Sequence, residues 1–279
     1  MRILLTNDDG VNAPGLAVLA RSFAEAGHEV IVVAPMTEAS GAGAGIGPAH
    51  LREHGIHAES VRPDGLDGIE VIAVDALPAL IVLTACMGGF GPLPDLVATG
   101  INPGRNVGRA IMHSGTVGAA LTCAPFGLTG LATSIQAGTV PSSSYEFDDG
   151  APIHFETAAA LAVGFANLFA KAPPGTVLNL NVPNLPLKDI LGIRRAPLAS
   201  TGLILSTSVE SRQPGVQLDL CPNQPLRAQP DRLVESDDTL TEIGWAVVTP
   251  LTSVSEDLRA DVGTFVTAAL RSTSDLLGT

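Results

Sequence analysis

Arg2-Ile3-Leu4-Leu5-Thr6-Asn7-Asp8-Asp9-Gly10 decides how the rest of the chain is read. Arg2 to Thr6 reads as a buried strand whose apolar run ends on two adjacent carboxylates. Two unit charges about 4 Å apart repel by roughly 4 kcal/mol at an effective dielectric of about 20. No Lys, Arg or His stands next to Asp8 and Asp9 in the sequence, so a bound cation is the natural counter-charge.

Strands and helices alternate from there. Pro14 suits the first turn of a helix through Ala26, with Gly27 closing it. Glu29 to Ala34 reads as the second strand, stopped by Pro35. Gly68 to Val74 is a weaker strand pattern, and Pro78 can open a helix through Cys86. Asp95 to Thr99 reads as a strand and Gly100-Ile101-Asn102-Pro103-Gly104 as a tight connection. Gly115 to Phe126 reads as helix, Leu131 to Ile135 as strand, Phe155 to Ala170 as helix and Val177 to Val182 as strand. Such alternation predicts an α/β fold, with a mostly parallel sheet flanked by helices on both faces.

Residues 1–185 are expected to form the core that carries the site, within a single domain of residues 1–279. Residues 186–279 read as a C-terminal extension that acts as an oligomerisation arm. Its parts are a proline-rich polar stretch (Pro214 to Pro230), a strand-like run (Gly244 to Thr249) and an amphipathic helix (Glu256 to Leu277). Met36 to Asp67 and Gly138 to Gly150 read as mobile loops.

The totals narrow the function classes. The chain has 279 residues, 46% hydrophobic and 15% charged, which is enough apolar material for one large α/β domain. Its 28 acidic residues outnumber 15 basic ones, for a net charge of -13, and this argues against a nucleic-acid polymer or an anionic membrane as partner. Cys86, Cys123 and Cys221 are widely spaced and odd in number. That pattern fits neither a disulfide framework nor a zinc knuckle and suits the cytoplasm. The N-terminus lacks a signal-peptide cleavage pattern. The most apolar stretch, Thr157 to Ala170, is interrupted by Gly164 and Asn167 and is too short to span a bilayer.

Ligands of open α/β sheets bind outside the carboxyl ends of the strands. Asp8 and Asp9 follow the first strand, Ser40 the second, and Asn102 the strand that starts at Asp95. Singly, each is an ordinary turn or loop residue. Together they offer carboxylate, hydroxyl and amide oxygens, a set that suits Mg²⁺ or Mn²⁺ and disfavours structural zinc.

A second feature is Ser114-Gly115-Thr116-Val117-Gly118-Ala119-Ala120, where small and hydroxyl residues open a helix. Helix N-termini present unpaired N–H groups to anions. The alternative is an N-cap with close packing through Gly118 and Ala119. Beside Gly104-Arg105-Asn106-Val107-Gly108, a phosphate cradle is the better reading, with Asn106, Ser114, Gly115 and Thr116 as donors. Arg105 reads equally as a phosphate partner or a surface arginine. His113 reads as structural or as a donor at the site's edge, since no Gly-x-Ser-x-Gly elbow is present. His50, His54 and His57 read as solvated loop residues. A dinucleotide-binding dehydrogenase is disfavoured, because Asp8-Asp9 stands where the Gly-x-Gly-x-x-Gly turn would be.

These motifs, in this order, resemble the SurE (survival protein E) nucleotidases. The opening Arg2 to Gly10 with Ala13-Pro14-Gly15 is similar to the family's first motif, and Ala34-Pro35 with Ser40-Gly41 to its second. Gly100-Ile101-Asn102 with Gly104, Asn106 and Gly108 resembles the third, and Ser114 to Ala120 the fourth. Leu178-Asn179-Leu180-Asn181-Val182-Pro183 and Gly244 to Leu251 are similar to later stretches. The resemblance implies a Rossmann-like core and a dimer or tetramer with a swapped C-terminal arm. It implies a metal-dependent phosphomonoesterase acting on nucleoside 5'- or 3'-monophosphates, with Asp8, Asp9, Ser40 and Asn102 as ligands of one divalent cation. Asp8 or Asp9 would orient or deprotonate the attacking water.

This chain departs from the family where Leu77-Pro78-Ala79-Leu80-Ile81 replaces a Thr-Pro-x-Asp-Cys stretch, and at Met36 and Pro103. A phosphatase for another phosphorylated metabolite is therefore the second reading. A non-catalytic relative that binds metal or nucleotide is the third.

Overall fold

In the computed structural model the described residues are 1–48, 55–136, 152–169, 171–200, 235–254, 262 and 264. Nine strands form one sheet: β1 (Arg2–Thr6), β2 (Glu29–Pro35), β3 (Ala58–Ser60), β4 (Glu70–Val74), β5 (Leu96–Pro103), β6 (Thr129–Ile135), β7 (Val177–Val182), β8 (Ile193–Arg195) and β9 (Ala246–Leu251). Their spatial order is β3-β4-β2-β1-β5-β6-β7-β9-β8. The six strands from β4 to β7 run parallel, β3 and β9 pair antiparallel with β4 and β7, and β8 is parallel to β9.

Alternation along the central strands sorts side chains onto two faces. Ile3, Leu5, Val32, Ala34, Leu96 and Ala98 join Leu16, Leu19 and Phe23 of α1 (Pro14–Glu25) and the alanines of α4 (Phe155–Phe169). Leu4, Ile31, Val33 and Val97 pack instead with Ile81, Val82 and Ala85 of α2 (Pro78–Cys86) and Ala119 of α3 (Gly115–Thr122). With both faces covered, these strands need near-continuous apolar sequence, as the mostly parallel α/β reading requires.

From β1 the chain winds outward through β2 to β4, then returns to β5 on the other flank of β1 and continues through β6 to β7. The winding reverses between β1 and β5, and ligands of open α/β sheets bind at such a switch point, outside the carboxyl ends of the strands. No helix among the described residues is long and apolar enough to cross a membrane.

Several elements differ from the sequence expectation. Gly100 to Pro103 is not a connection, since β5 continues to Pro103 with an irregularity between Thr99 and Asn102. Ile101 is buried there, and its carbonyl packs under the first turn of α1. Gly100 has φ +116°, and a Cβ on it would lie 2.2 Å from the Thr133 carbonyl oxygen, so only glycine fits. The helix expected from Gly115 to Phe126 ends at Thr122, and a separate 3-10 turn, Ala124–Phe126, follows. Pro125 lacks an N–H and its ring would crowd the carbonyl four residues earlier. Met36 to Asp67 was expected as one loop but contains β3.

The C-terminal segment supplies β8, β9 and the short helix α5 (Asp237–Glu242), with β9 inserted between β7 and β8. The expectations for Gly138 to Gly150, Pro214 to Pro230, Glu256 to Leu277, His50, His54 and Cys221 fall wholly or almost wholly outside the described residues.

Candidate active site

The turn after β1 is fixed by Asn7, whose Nδ2 donates to the Gly10 carbonyl at 2.9 Å. It delivers Asp8 to the N-terminus of α3. Thr116 Oγ1 donates to Asp8 Oδ1 at 2.5 Å. Burial pushes the Asp8 carboxyl above its ordinary pKa, while the Thr116 hydroxyl and backbone N–H groups that include Gly115 and Thr116 pull it back down. A Cβ on Gly115 would stand 2.7 Å from Asp8 Oδ2, so the helix can approach the carboxylate this closely only through glycine. Part of the anion-binding capacity of this helix end therefore faces the protein's own Asp8. Ser114 caps the helix, accepting from Val117 N at 3.1 Å.

Asp9 is placed differently. Its pKa is pushed up to about 7 by burial, then by the neighbouring charges of Asp8 and Glu38. Its Oδ2 is buried and finds no hydrogen-bond partner among the described residues. Buried polar atoms are nearly always satisfied, and among the unpartnered side-chain atoms of the described residues this is the one carboxylate oxygen.

The loop after β2 reaches the same turn. Ala39 N donates to the Asp8 carbonyl at 2.7 Å, which sets exposed Ser40 one residue away. Farther on, Gly43 N donates to the His113 carbonyl at 3.1 Å. A Cβ on Gly118 would lie 2.3 Å from Gly43, so loop and helix touch through their backbones. Asn102 lies three residues beyond Thr99, the β5 partner of Thr6, much as Asp9 lies three residues beyond Thr6 on β1. Its Nδ2 donates to the Gly104 carbonyl at 2.7 Å, which leaves the amide oxygen to offer a ligand.

Asn106 is anchored on the far side of β5. Its N–H donates to Asn181 Oδ1 at 2.9 Å and its Nδ2 to Ser134 Oγ at 2.9 Å. Its carbonyl accepts from Asn179 Nδ2 and Asn181 Nδ2, each at 2.8 Å. Ser114, Gly115 and Thr116 thus stand with β1, whereas Asn106 is held by β6 and β7.

Arg105 is held by α5, its Nη1 lying 3.0 Å from Asp238 Oδ1 and 3.6 Å from Glu242 Oε1. His113 is exposed and engages the Gly43 loop through its backbone. His57 is also exposed.

Sequence reasoning missed two acids. Glu38 adds negative charge at Asp9, and its position two residues before Ser40 was the available signal. Asp237 is fully buried, and its Oδ2 accepts from Gly108 N at 2.8 Å. The capping box of Ser236 and Thr239 marks a helix start there but says nothing of its distant partner.

No group of three or more His, Cys, Asp or Glu that could hold a metal gathers among the described residues. A cation here would need neutral oxygens to complete its shell. Two adjacent carboxylates, one with a buried unpartnered oxygen, together with hydroxyl and amide oxygens at the same edge, fit a hard divalent ion.

Comparison with known proteins identifies the family. The family model described as "Survival protein SurE" matches residues 3–203. The 5'-nucleotidase SurE of Rubrobacter xylanophilus is 38% identical over 196 residues, 70% of each chain. The 5'/3'-nucleotidase SurE of Cronobacter sakazakii is 33% identical over 255 residues, 90% of each. The crystal structure of the SurE protein from Aquifex aeolicus superposes with a TM-score of 0.69 at 24% identity, covering 97% of this chain and all of that one. The chain belongs to the survival protein SurE family.

Proposed function

We propose that the chain is a metal-dependent phosphomonoesterase that hydrolyses nucleoside 5'- or 3'-monophosphates to nucleoside and phosphate. Relatives that bear the names 5'-nucleotidase and 5'/3'-nucleotidase support the reaction class. The observation that carries the site is the buried, unpartnered Oδ2 of Asp9 beside the ionisable Asp8.

In this reading Asp8, Asp9, Ser40 and Asn102 hold one divalent cation, Mg²⁺ or Mn²⁺. When bound, such an ion polarises a phosphoryl oxygen and acidifies water. Asp8 is pinned by Thr116, which suits a ligand that must not move. Asp9 keeps an oxygen unused by the fold, which favours it over Asp8 as the group that takes the proton of the attacking water. Asn106 and the first turn of α3, Ser114 to Thr116, oppose the charge that builds on the phosphate oxygens. The substrate is a small phosphate ester. A homodimer or homotetramer is the expected assembly, and the free, buried Cys86 and Cys123 are in keeping with a reducing cytoplasm.

The test is phosphate release from a panel of nucleoside 5'- and 3'-monophosphates and non-nucleotide esters, with Mg²⁺, Mn²⁺ and chelator arms. Turnover should need the metal, and Asp9→Asn should lower it by about 10³-fold. Full activity of Asp9→Asn overturns the mechanism. A strong preference for a non-nucleotide ester overturns the substrate and favours the specialised phosphatase.

A further inference from the structure

We propose that Asp237, on α5, is a positioning residue for the Gly104–Gly108 loop and through it for phosphate binding. The inference rests on the reading of that loop as part of the site.

The loop leaves β5 at Pro103 and enters the 3-10 turn Gly108–His113. Three anchors hold it. At its start Gly104 N donates to the Ile135 carbonyl at 2.9 Å. In its middle Asn106 is tied to Ser134, Asn179 and Asn181. These two anchors come from neighbouring strands of the sheet. The third comes from 129 positions away, where Asp237 Oδ2 accepts from Gly108 N at 2.8 Å. Arg105 reinforces it from within the loop through Asp238 and Glu242.

The chemistry requires a carboxylate. Asp237 is fully buried, and its other oxygen, Oδ1, accepts from Ala199 N at 2.8 Å and Asp238 N at 2.9 Å. Three backbone donors therefore converge on two oxygens, and hydrogen bonds to an ionised acceptor are the stronger kind. An asparagine would turn its NH₂ toward either Gly108 or Ala199, setting donor against donor inside the fold. The set of bonds is thus specific to aspartate. Its release would loosen the loop end next to Asn106, and misplacing a binding group by about 1 Å can cost on the order of 10²-fold in rate.

The experiment uses the full-length chain, saturated with Mn²⁺, and measures KM and kcat for a nucleoside monophosphate. The variants are Asp237→Asn, Asn106→Ala, their double mutant, Ser236→Ala and Arg105→Gln. Asp237→Asn should lower kcat/KM by on the order of tenfold, mostly through KM. In the Asn106→Ala background the same change should cost little more, because both act on one loop. Ser236→Ala weakens the same helix end without touching the loop and should leave KM in place.

An unchanged KM in Asp237→Asn, a fully multiplicative double mutant, or an equal KM rise in Ser236→Ala overturns the inference. If Asp237→Asn fails to fold, Arg105→Gln decides, since it should raise KM in the same direction by a smaller factor, and an unchanged KM overturns the proposal. Wild-type kinetics in Asn106→Ala would remove the loop from the site, and the parent reading would fall with the inference. An impaired Asn106→Ala beside a normal Asp237→Asn would sink the inference alone.

Discussion

Two places in this molecule bury aspartate at the start of a helix, and they solve the problem in opposite ways. Asp237 is the first residue of α5, and backbone N–H groups from Gly108, Ala199 and Asp238 cover both of its oxygens. The Asp8-Asp9 turn lies against α3, where Asp8 is served by Thr116 while Asp9 keeps a buried oxygen with no donor. Burial raises the carboxyl pKa at both places. The difference lies in who supplies the compensation. Where the backbone completes a carboxylate, that group acts inside the fold. Where the backbone stops short, a carboxylate oxygen stays without a donor among the described residues, and the proposed reading gives it to the cation.

The contrast would break first at Asp9. The about 10³-fold loss of turnover in Asp9→Asn should come with a gain in thermal stability of the chelator-treated protein, because a desolvated charge beside two like charges is removed. A melting temperature that drops instead would put Asp9 in the same class as Asp237.

Next comes Gly115→Ala. Its methyl would stand 2.7 Å from Asp8 Oδ2. Either α3 or Asp8 must shift, so kcat/KM should fall by on the order of 10²-fold with a stability loss of about 1–3 kcal/mol. Wild-type kinetics would show that the close approach of helix and carboxylate is dispensable.

A pH series sharpens the comparison further. With its pKa at about 7 in the fold against an ordinary 3.8, Asp9 holds a proton through that interval which the unfolded chain has already released. The metal-free protein should therefore lose stability as pH rises through this window, the reverse of a salt-bridged carboxylate. Denaturant unfolding in chelator should show that slope, and Asp9→Asn should flatten it. An unchanged slope in the variant would remove Asp9 as its source.

The smallest effect is expected at Ser236→Ala, which deletes the cap of α5. About 1 kcal/mol of stability should go, read from a denaturation midpoint.

The central strands and the four long helices were legible because burial on both sides imposes apolar sequence and helix ends carry proline and glycine signals. β3 and β8 were not, since Ala58-Glu59-Ser60 and Ile193-Arg194-Arg195 are exposed throughout and carry no apolar pattern. α5 has six residues, too few for a periodic signal. The insertion of β9 beside β7 is a tertiary pairing that local sequence does not encode.

At the site, Asp8 and Asp9 drew attention because like charges adjoin. Glu38 and Asp237 escaped notice because their importance lies in whom they face. Gly100 to Pro103 misled because glycine and proline signal turns, while here they let a strand pass beneath α1.

The Asp237 node has one more consequence. Ala199 and Asp237 are 38 positions apart in the chain yet joined by one hydrogen bond, and Asp237 N also donates to the Pro197 carbonyl at 3.0 Å. The backbone departs from this point and comes back to it. One carboxylate thus couples Ala199 to Gly108, so that a shift at the end of the β8 segment is felt where the loop after β5 begins its 3-10 turn.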